Sequence, residues 1–517
     1  MQLKNRLHHL SNQFIFRLFY LLFGITYISV ITSDNFILGD NQQKGTSTTI
    51  ELVLFLAALL LIAGLFFLFP KLKKIFNFIL IQHKVLTSIF LFLILIIFQI
   101  SFVTILHPEI GWDVSALIDT LRNVDDLNNQ AYFSLNYNNL PILLFMNTLS
   151  SIFKMHSWLF FDYITIFWVD LSIVFSVATC WLIDKRYFAN SLYLHILFFG
   201  IFPWIIIPYT DTWVLPFVSA FLFFYFATKK VVYLWQKLIL LICFSFFVCA
   251  AFLIKPSAII PVIAIIIIEI LSLLKKDYFS VSKCLTGLSL ILTILFSFFI
   301  MYNSFQSKIE NQTLIQVNRE RAIPAIHFMN MGVYGDGGYH AEDALKMGEL
   351  ATRAEKVEYS RKTLFKRLKK MGVFGYFKFL IRKQVNNTAD GSFAWGKEGN
   401  FIKGNQLPQS SGIKGTLENY LYIYGEKIAN FRFIAQFIWL FILSIIFWGW
   451  QNRSQNMQMI RLSIIGAFIF LLLFEGGRSR YIIQFLPLFL IGATLSINDT
   501  KINLKRFINL LSFKKIN

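Results

Sequence analysis

The chain has 517 residues, 56% of them hydrophobic and 15% charged, with a formal net charge of +20. A mean hydropathy of +0.61 is more apolar than a soluble domain of this length can bury, which excludes a soluble enzyme. The basic residues cluster at the ends of apolar runs, where they set topology and meet anionic headgroups, so the charge does not point to nucleic acid. Cys180, Cys243, Cys249 and Cys284 lie in or beside apolar runs without metal-ligand spacing, and no disulfide framework is expected.

Apolar runs of about 17 to 25 residues, each long enough to cross a hydrocarbon core of about 30 Å, recur along the chain. The expected fold is all-α and polytopic, a bundle of about twelve transmembrane helices with two large extracytoplasmic loops. Residues 1–84 form an N-terminal pair, with helices at 14–33 and 50–69 joined by an outer connection carrying Asp34 and Asp40. Lys71, Lys73, Lys74 and Lys84 then mark a cytoplasmic loop. Residues 85–302 form the core. Its first helix, 85–106, leads to an outer loop at 107–157 that holds Glu109, Asp113, Asp119, Asp125 and Asp126.

The run 140–153 is only about 14 residues long, which suits the membrane interface rather than a crossing. With that choice, spans at 158–183, 190–207, 212–227, 238–254, 258–274 and 281–302 place the basic loops at Lys185–Arg186, Lys229–Lys230 and Lys275–Lys276 inside. Residues 303–427 form a second outer domain, in which 363–384 mixes Lys and Arg with Phe, Leu and Tyr as an amphipathic helix on the outer leaflet. Residues 428–517 supply spans at 431–450, 459–474 and 481–497 and a basic cytoplasmic tail from Lys501 onward.

This topology gathers polar residues from distant places at one membrane face: Asp113, Asp211, Lys255, Glu342, Asp343, Glu475, Arg478, Arg480 and Tyr481. Each has a plainer reading. Asp113 and Asp211 suit helix caps, and Lys255 and the arginines suit snorkelling anchors, although outer-face arginines run against the positive-inside bias. Asp162 and Asp170 fall within the 158–183 span, where a carboxyl is costly and faces a partner; a structural hydrogen bond is the favoured reading. The histidines show no HxxxH or HxH pair, so no zinc site is expected.

In order and sidedness, a series of short motifs resembles the GT-C glycosyltransferases, in particular bacterial relatives of protein O-mannosyltransferases from Gram-positive bacteria. They are Gly111-Trp112-Asp113, YFSLNYNNLP at 132–141, Pro208-Tyr209-Thr210-Asp211-Thr212, Ile254-Lys255-Pro256-Ser257, HFMNMG at 327–332, GGYHAED at 337–343, DGSFAWG at 390–396 and Arg478-Ser479-Arg480-Tyr481. The resemblance implies a GT-C-type bundle whose first two helices are an addition. It also implies transfer of a sugar from a polyprenyl-phosphate donor, undecaprenyl phosphate in bacteria, to an extracytoplasmic glycan, lipid or protein at the cell membrane.

On that resemblance Asp113 is the catalytic base, Arg478, Arg480 and Lys255 bind the donor phosphate, and Asp211, Tyr209, Glu342, Asp343, Tyr481 and Glu109 line the substrate site. No cofactor is implied beyond a divalent cation, whose need stays open. Two rivals remain: a flippase for lipid-linked oligosaccharide, and a glycan polymerase or ligase.

Overall fold

A computed structural model describes residues 2–273, 281–395, 402–404, 406–474 and 476–511. Lys275, Lys276, Gly396 and Glu475 lie outside the described residues. The chain begins with α1 (Gln2–Ile31), α2 (Ile50–Leu68), α3 (Pro70–Asn77) and α4 (Lys84–Ile105). The first large loop carries α5 (Trp112–Arg122), α6 (Leu127–Leu135) and α7 (Leu140–Phe153). The core continues through α8 (Trp158–Ile183), α9 (Phe188–Phe199), α10 (Thr210–Trp213), α11 (Leu215–Thr228), α12 (Leu234–Ile254), α13 (Ile260–Leu273) and α14 (Val281–Glu310). The second large loop region contains α15 (Ala325–Met331), α16 (Ala341–Glu349), α17 (Arg353–Thr388) and α18 (Gly412–Leu421); α19 (Ile428–Trp448), α20 (Gln455–Leu473) and α21 (Leu486–Leu511) close the bundle. A two-residue hairpin, Asp40–Asn41 with Thr46–Ser47, ornaments the α1–α2 connection.

Among the described residues, eleven helices are long and apolar enough to cross a membrane. Their burial sorts them into centre and rim. The most apolar stretches of Thr210–Thr228 and Ser479–Leu510 are 89% and 83% buried, whereas those of Ile50–Leu68 and Leu285–Glu310 are 6% and 0% buried. An apolar helix with so little protein around it faces lipid, which hides its side chains as well as a core would.

The structure departs from the sequence expectation at several places. The span expected at 190–207 is the 12-residue α9 followed by a 3-10 turn, Pro203–Ile206. Pro203 lacks an amide donor and ends regular helix, yet the segment still returns the chain to the end of the bundle where Asp113 lies. α14 runs to Glu310, beyond the expected 302, and α21 carries the basic tail on as helix to Leu511. α7 has the expected bounds of a short helix and rests on α12 and α14. The expected amphipathic helix at 363–384 is the middle of α17, which breaks at Gly372 (φ 63°, ψ 178°), a conformation reserved for glycine. Val373 and Phe374, just past the break, are 85% and 91% exposed.

α1 packs against α17, α19 and α20. One amide ties these parts together. Gln436 Oε1, buried in α19, accepts from Asn35 Nδ2 at 2.9 Å and from the Gly391 amide at 2.8 Å. Its Nε2 donates to Val30 O at 3.0 Å and Ala389 O at 2.8 Å. The end of α1, the turn after α17 and α19 thus share one fully satisfied side chain. In an apolar bundle, losing it strands four backbone and side-chain groups. Gln436→Leu is expected to destabilise the protein by about 2–3 kcal/mol, read as a lowered melting temperature in detergent; an unchanged Tm would show that the clamp is dispensable.

Candidate functional site

The site is built where helices break. Trp112 has φ 57° and is 70% exposed, a left-handed conformation that costs a non-glycine residue on the order of 1 kcal/mol. It sets the start of α5 and aims the next side chain, Asp113, away from the helix end. Gly111 occupies the N-cap position, so Asp113 is not a cap. Tyr132 Oη donates to Asp113 Oδ1 at 2.8 Å, and Tyr209 Oη donates to Oδ2 at 3.1 Å. Asn139 Nδ2 in turn donates to both phenols, at 2.6 Å to Tyr132 and 3.3 Å to Tyr209. An ionised carboxylate accepts only, so two phenol donors suit it, and its remaining lone pairs stay available.

Burial, then the neighbouring Asp113 charge, push the Tyr132 hydroxyl well above the ordinary phenol value. For Tyr209, too, burial acts first and Asp113 second, with Arg480 opposing. Both phenols keep their protons and remain donors. Tyr209 is also the link to a second cluster, because it caps α10, whose first turn carries Asp211.

That second cluster centres on Asp211, whose side chain is 1% exposed. Lys255 forms an ion pair with Asp211 Oδ1, and Arg480 Nε stands 3.6 Å from Oδ2. Asp211 is therefore not used as a cap; the N-cap position of α10 belongs to Tyr209. The Tyr481 ring underlies both cations, with its centroid 5.6 Å from Lys255 Nζ and 5.0 Å from the Arg480 guanidinium carbon. Lys255 and Arg480 remain 15% and 21% exposed. The Asp211 carboxylate is thus buried between a lysine and an arginine, each of which could also turn toward an anionic group that reaches the cluster.

The loop carrying the arginines is held by α17. Lys383 Nζ, buried, donates to Gly332 O at 2.6 Å, Leu472 O at 3.1 Å and Phe474 O at 2.5 Å. Asn387 Oδ1 accepts from the Gly477 amide at 2.6 Å, and the Gly476 amide donates to Gly337 O at 3.0 Å. Gly477 needs its φ of 71°, and a Cβ there would sit 2.6 Å from Asp336 O. Arg478 lies against Gly338, where an added Cβ would come within 3.4 Å of its Nε.

Three of the residues grouped with these by sequence lie elsewhere. Asp343 is buried in a bidentate pair with Arg367, at 2.6 and 3.1 Å, and His340 Nδ1 is 3.1 Å away. Burial raises its carboxyl, but Arg367 and His340 outweigh that and hold it below the usual carboxylate range. It ties α16 to α17. Glu342 beside it is 89% exposed. Glu109 pairs with Arg122 at 3.1 Å, and its carbonyl accepts from the Lys403 amide at 2.7 Å, joining the two large loops. Sequence reading missed Tyr132 and Asn139 as individuals, although both lie in the motif at 132–141.

In α8, Asp170 accepts from the Gln99 amide at 3.0 and 3.2 Å once that amide is turned nitrogen-inward, the expected structural bond. Among the described residues neither oxygen of the fully buried Asp162 has a hydrogen-bond partner. No group of three or more His, Cys, Asp or Glu among the described residues is placed to hold a metal ion.

Near Asp343, burial pushes the His327 imidazole down to about 4, against the pull of the Asp343 charge. The unfolded chain takes up this proton near pH 6.5 and the folded one refuses it until about 4. Stability present above pH 6.5 is therefore lost as pH falls toward 4, by on the order of 2–3 kcal/mol. Tm measured across this window should fall for the native protein and much less for His327→Gln; parallel curves would refute the assignment.

The family model described as "conserved hypothetical integral membrane protein" matches residues 7–501, so the chain belongs to that family and is a multi-pass integral membrane protein. No curated protein and no solved structure matches the chain.

Proposed function

We propose that this integral membrane protein is a glycosyltransferase of the GT-C type that moves a sugar from a polyprenyl-phosphate donor to an acceptor at the extracytoplasmic face. The observation that carries the reading is the union, through Tyr209, of a half-buried carboxylate with a lysine–arginine cluster at one end of an apolar bundle. That pairing meets the two demands of the reaction. An acceptor hydroxyl ionises far above neutral pH, so its proton must be taken as its oxygen bonds to the anomeric carbon. The departing lipid phosphate needs cations to receive its charge.

Asp113 takes the acceptor proton while the new C–O bond forms. The bond from the anomeric carbon to the phosphate oxygen breaks, and the electron pair leaves with the phosphate. Tyr132 and Tyr209 hold the carboxylate in place through Asn139. Lys255 and Arg480 bind the phosphate, with Asp211 fixing both and Tyr481 supporting them. Arg478, held in the same turn, belongs to the phosphate side. α7, lying short along the bundle, guides the lipid chain. Asp343 and Glu109, engaged in ion pairs, support the outer domain rather than the reacting atoms. A polymerase or flippase would act on an intact glycan, whereas the reading here requires transfer of a single sugar.

Asp113→Asn should lower sugar transfer from membrane-extracted polyprenyl-phosphate donors at least about 100-fold while expression and insertion stay normal. Transfer at native rate would remove Asp113 from the mechanism. Arg480→Ala should raise the KM for the lipid-linked donor about tenfold or more with the acceptor KM little changed; unaltered donor kinetics in purified protein would overturn the phosphate assignment.

A further inference from the structure

At the opposite end of the bundle a cavity of about 610 Å³ opens between the start of α1 and the α19–α20 turn, lined by His8, His9, Phe16, Arg17, Arg453 and Gln458, among others. It is far from Asp113: α1 alone separates Asn12 from the other face by roughly 30 Å. Among the described residues no Asp or Glu lines it. Arg453 is stacked on Phe16, with its guanidinium carbon 3.2 Å from the ring centroid, which orients a planar fork of donors. The buried Arg461 stands behind the same ring at 5.2 Å and donates to Asn452 O at 2.7 Å, steadying the turn that carries Arg453.

The donors are ordered by α1 itself. Gln13 Nε2 lies 2.8 Å from His9 Nε2, so that nitrogen accepts and Nδ1–H is the donor. Gln458 Nε2 donates to Asn12 O at 3.2 Å, which fixes its amide orientation. Its Oε1 is buried and has no hydrogen-bond partner among the described residues, and the side chain is 1% exposed. The lining thus holds two arginines, histidines and side-chain amides, with no carboxylate among the described residues.

We propose that this cavity binds a phosphate group, its oxygens on Arg453 and Arg17. Guanidinium groups match phosphate oxygens in paired hydrogen bonds, a cavity of this size suits a small organic ligand, and basic pockets at helix ends take lipid headgroups. The group arrives either on the headgroup of an anionic phospholipid or on a soluble phosphate ester.

Native mass spectrometry of the full-length protein in neutral detergent separates the sources. Phosphatidylglycerol should be retained over phosphatidylcholine, and Arg453→Gln and Arg17→Gln should each weaken retention about fivefold. Displacement of the lipid by glycerol 3-phosphate identifies the soluble source, and failure to displace it identifies the lipid. Equal retention of both lipids together with no binding of glycerol 3-phosphate, or native binding by both variants, overturns the proposal. If Arg453→Gln does not fold, the exposed Arg17→Gln decides alone.

Discussion

Everything at the Asp113 end depends on backbone groups that a hydrocarbon surround would leave unsatisfied. The last carbonyls of α20 are taken up by side chains of α17 rather than left to solvent. The buried ammonium of Lys383 receives Leu472 O and Phe474 O together with Gly332 O. A charge without such partners would cost several kcal/mol in this setting, and so would the carbonyls; each makes the other affordable. The turn fixed in this way delivers Arg478, Arg480 and Tyr481. The outer half of α17 is thereby a strut for the bundle, and removing it would loosen a site whose residues it does not contribute.

The same logic applies at the other breaks. Pro203 interrupts the chain before Tyr209 and Asp211, and Pro256 follows Lys255 at the end of α12. Helix interiors present apolar surface to lipid; helix breaks release polar side chains and backbone together. Three breaks brought together around Asp211 give a polar floor, and α5 and α6 of the first large loop meet it with Asp113 and Tyr132. Asn139, donating to both phenols, joins the two.

Much of this was legible in the sequence. Long apolar runs gave the helices. The short helix at 140–153 was legible with its bounds. Asp113, Tyr209, Asp211, Lys255 and Arg480 stand together as polar residues at corresponding ends of successive spans should. What was not legible is pairing. Glu342 and Asp343 are adjacent acids in one motif, yet helical geometry turns one to solvent and the other into Arg367. Hydropathy likewise could not reveal that α1 is built into the bundle, because a lipid-facing surface and a protein-facing surface are equally apolar.

The bond between Gln99 and Asp170 bears on how the protein is made. A carboxyl near the middle of a nascent helix resists entry into lipid by about 2.5–3.5 kcal/mol, and α8 carries two. Gln99 belongs to α4, which leaves the ribosome earlier and presents its amide from within the bundle. For Asp170, the partner therefore precedes it in the order of synthesis.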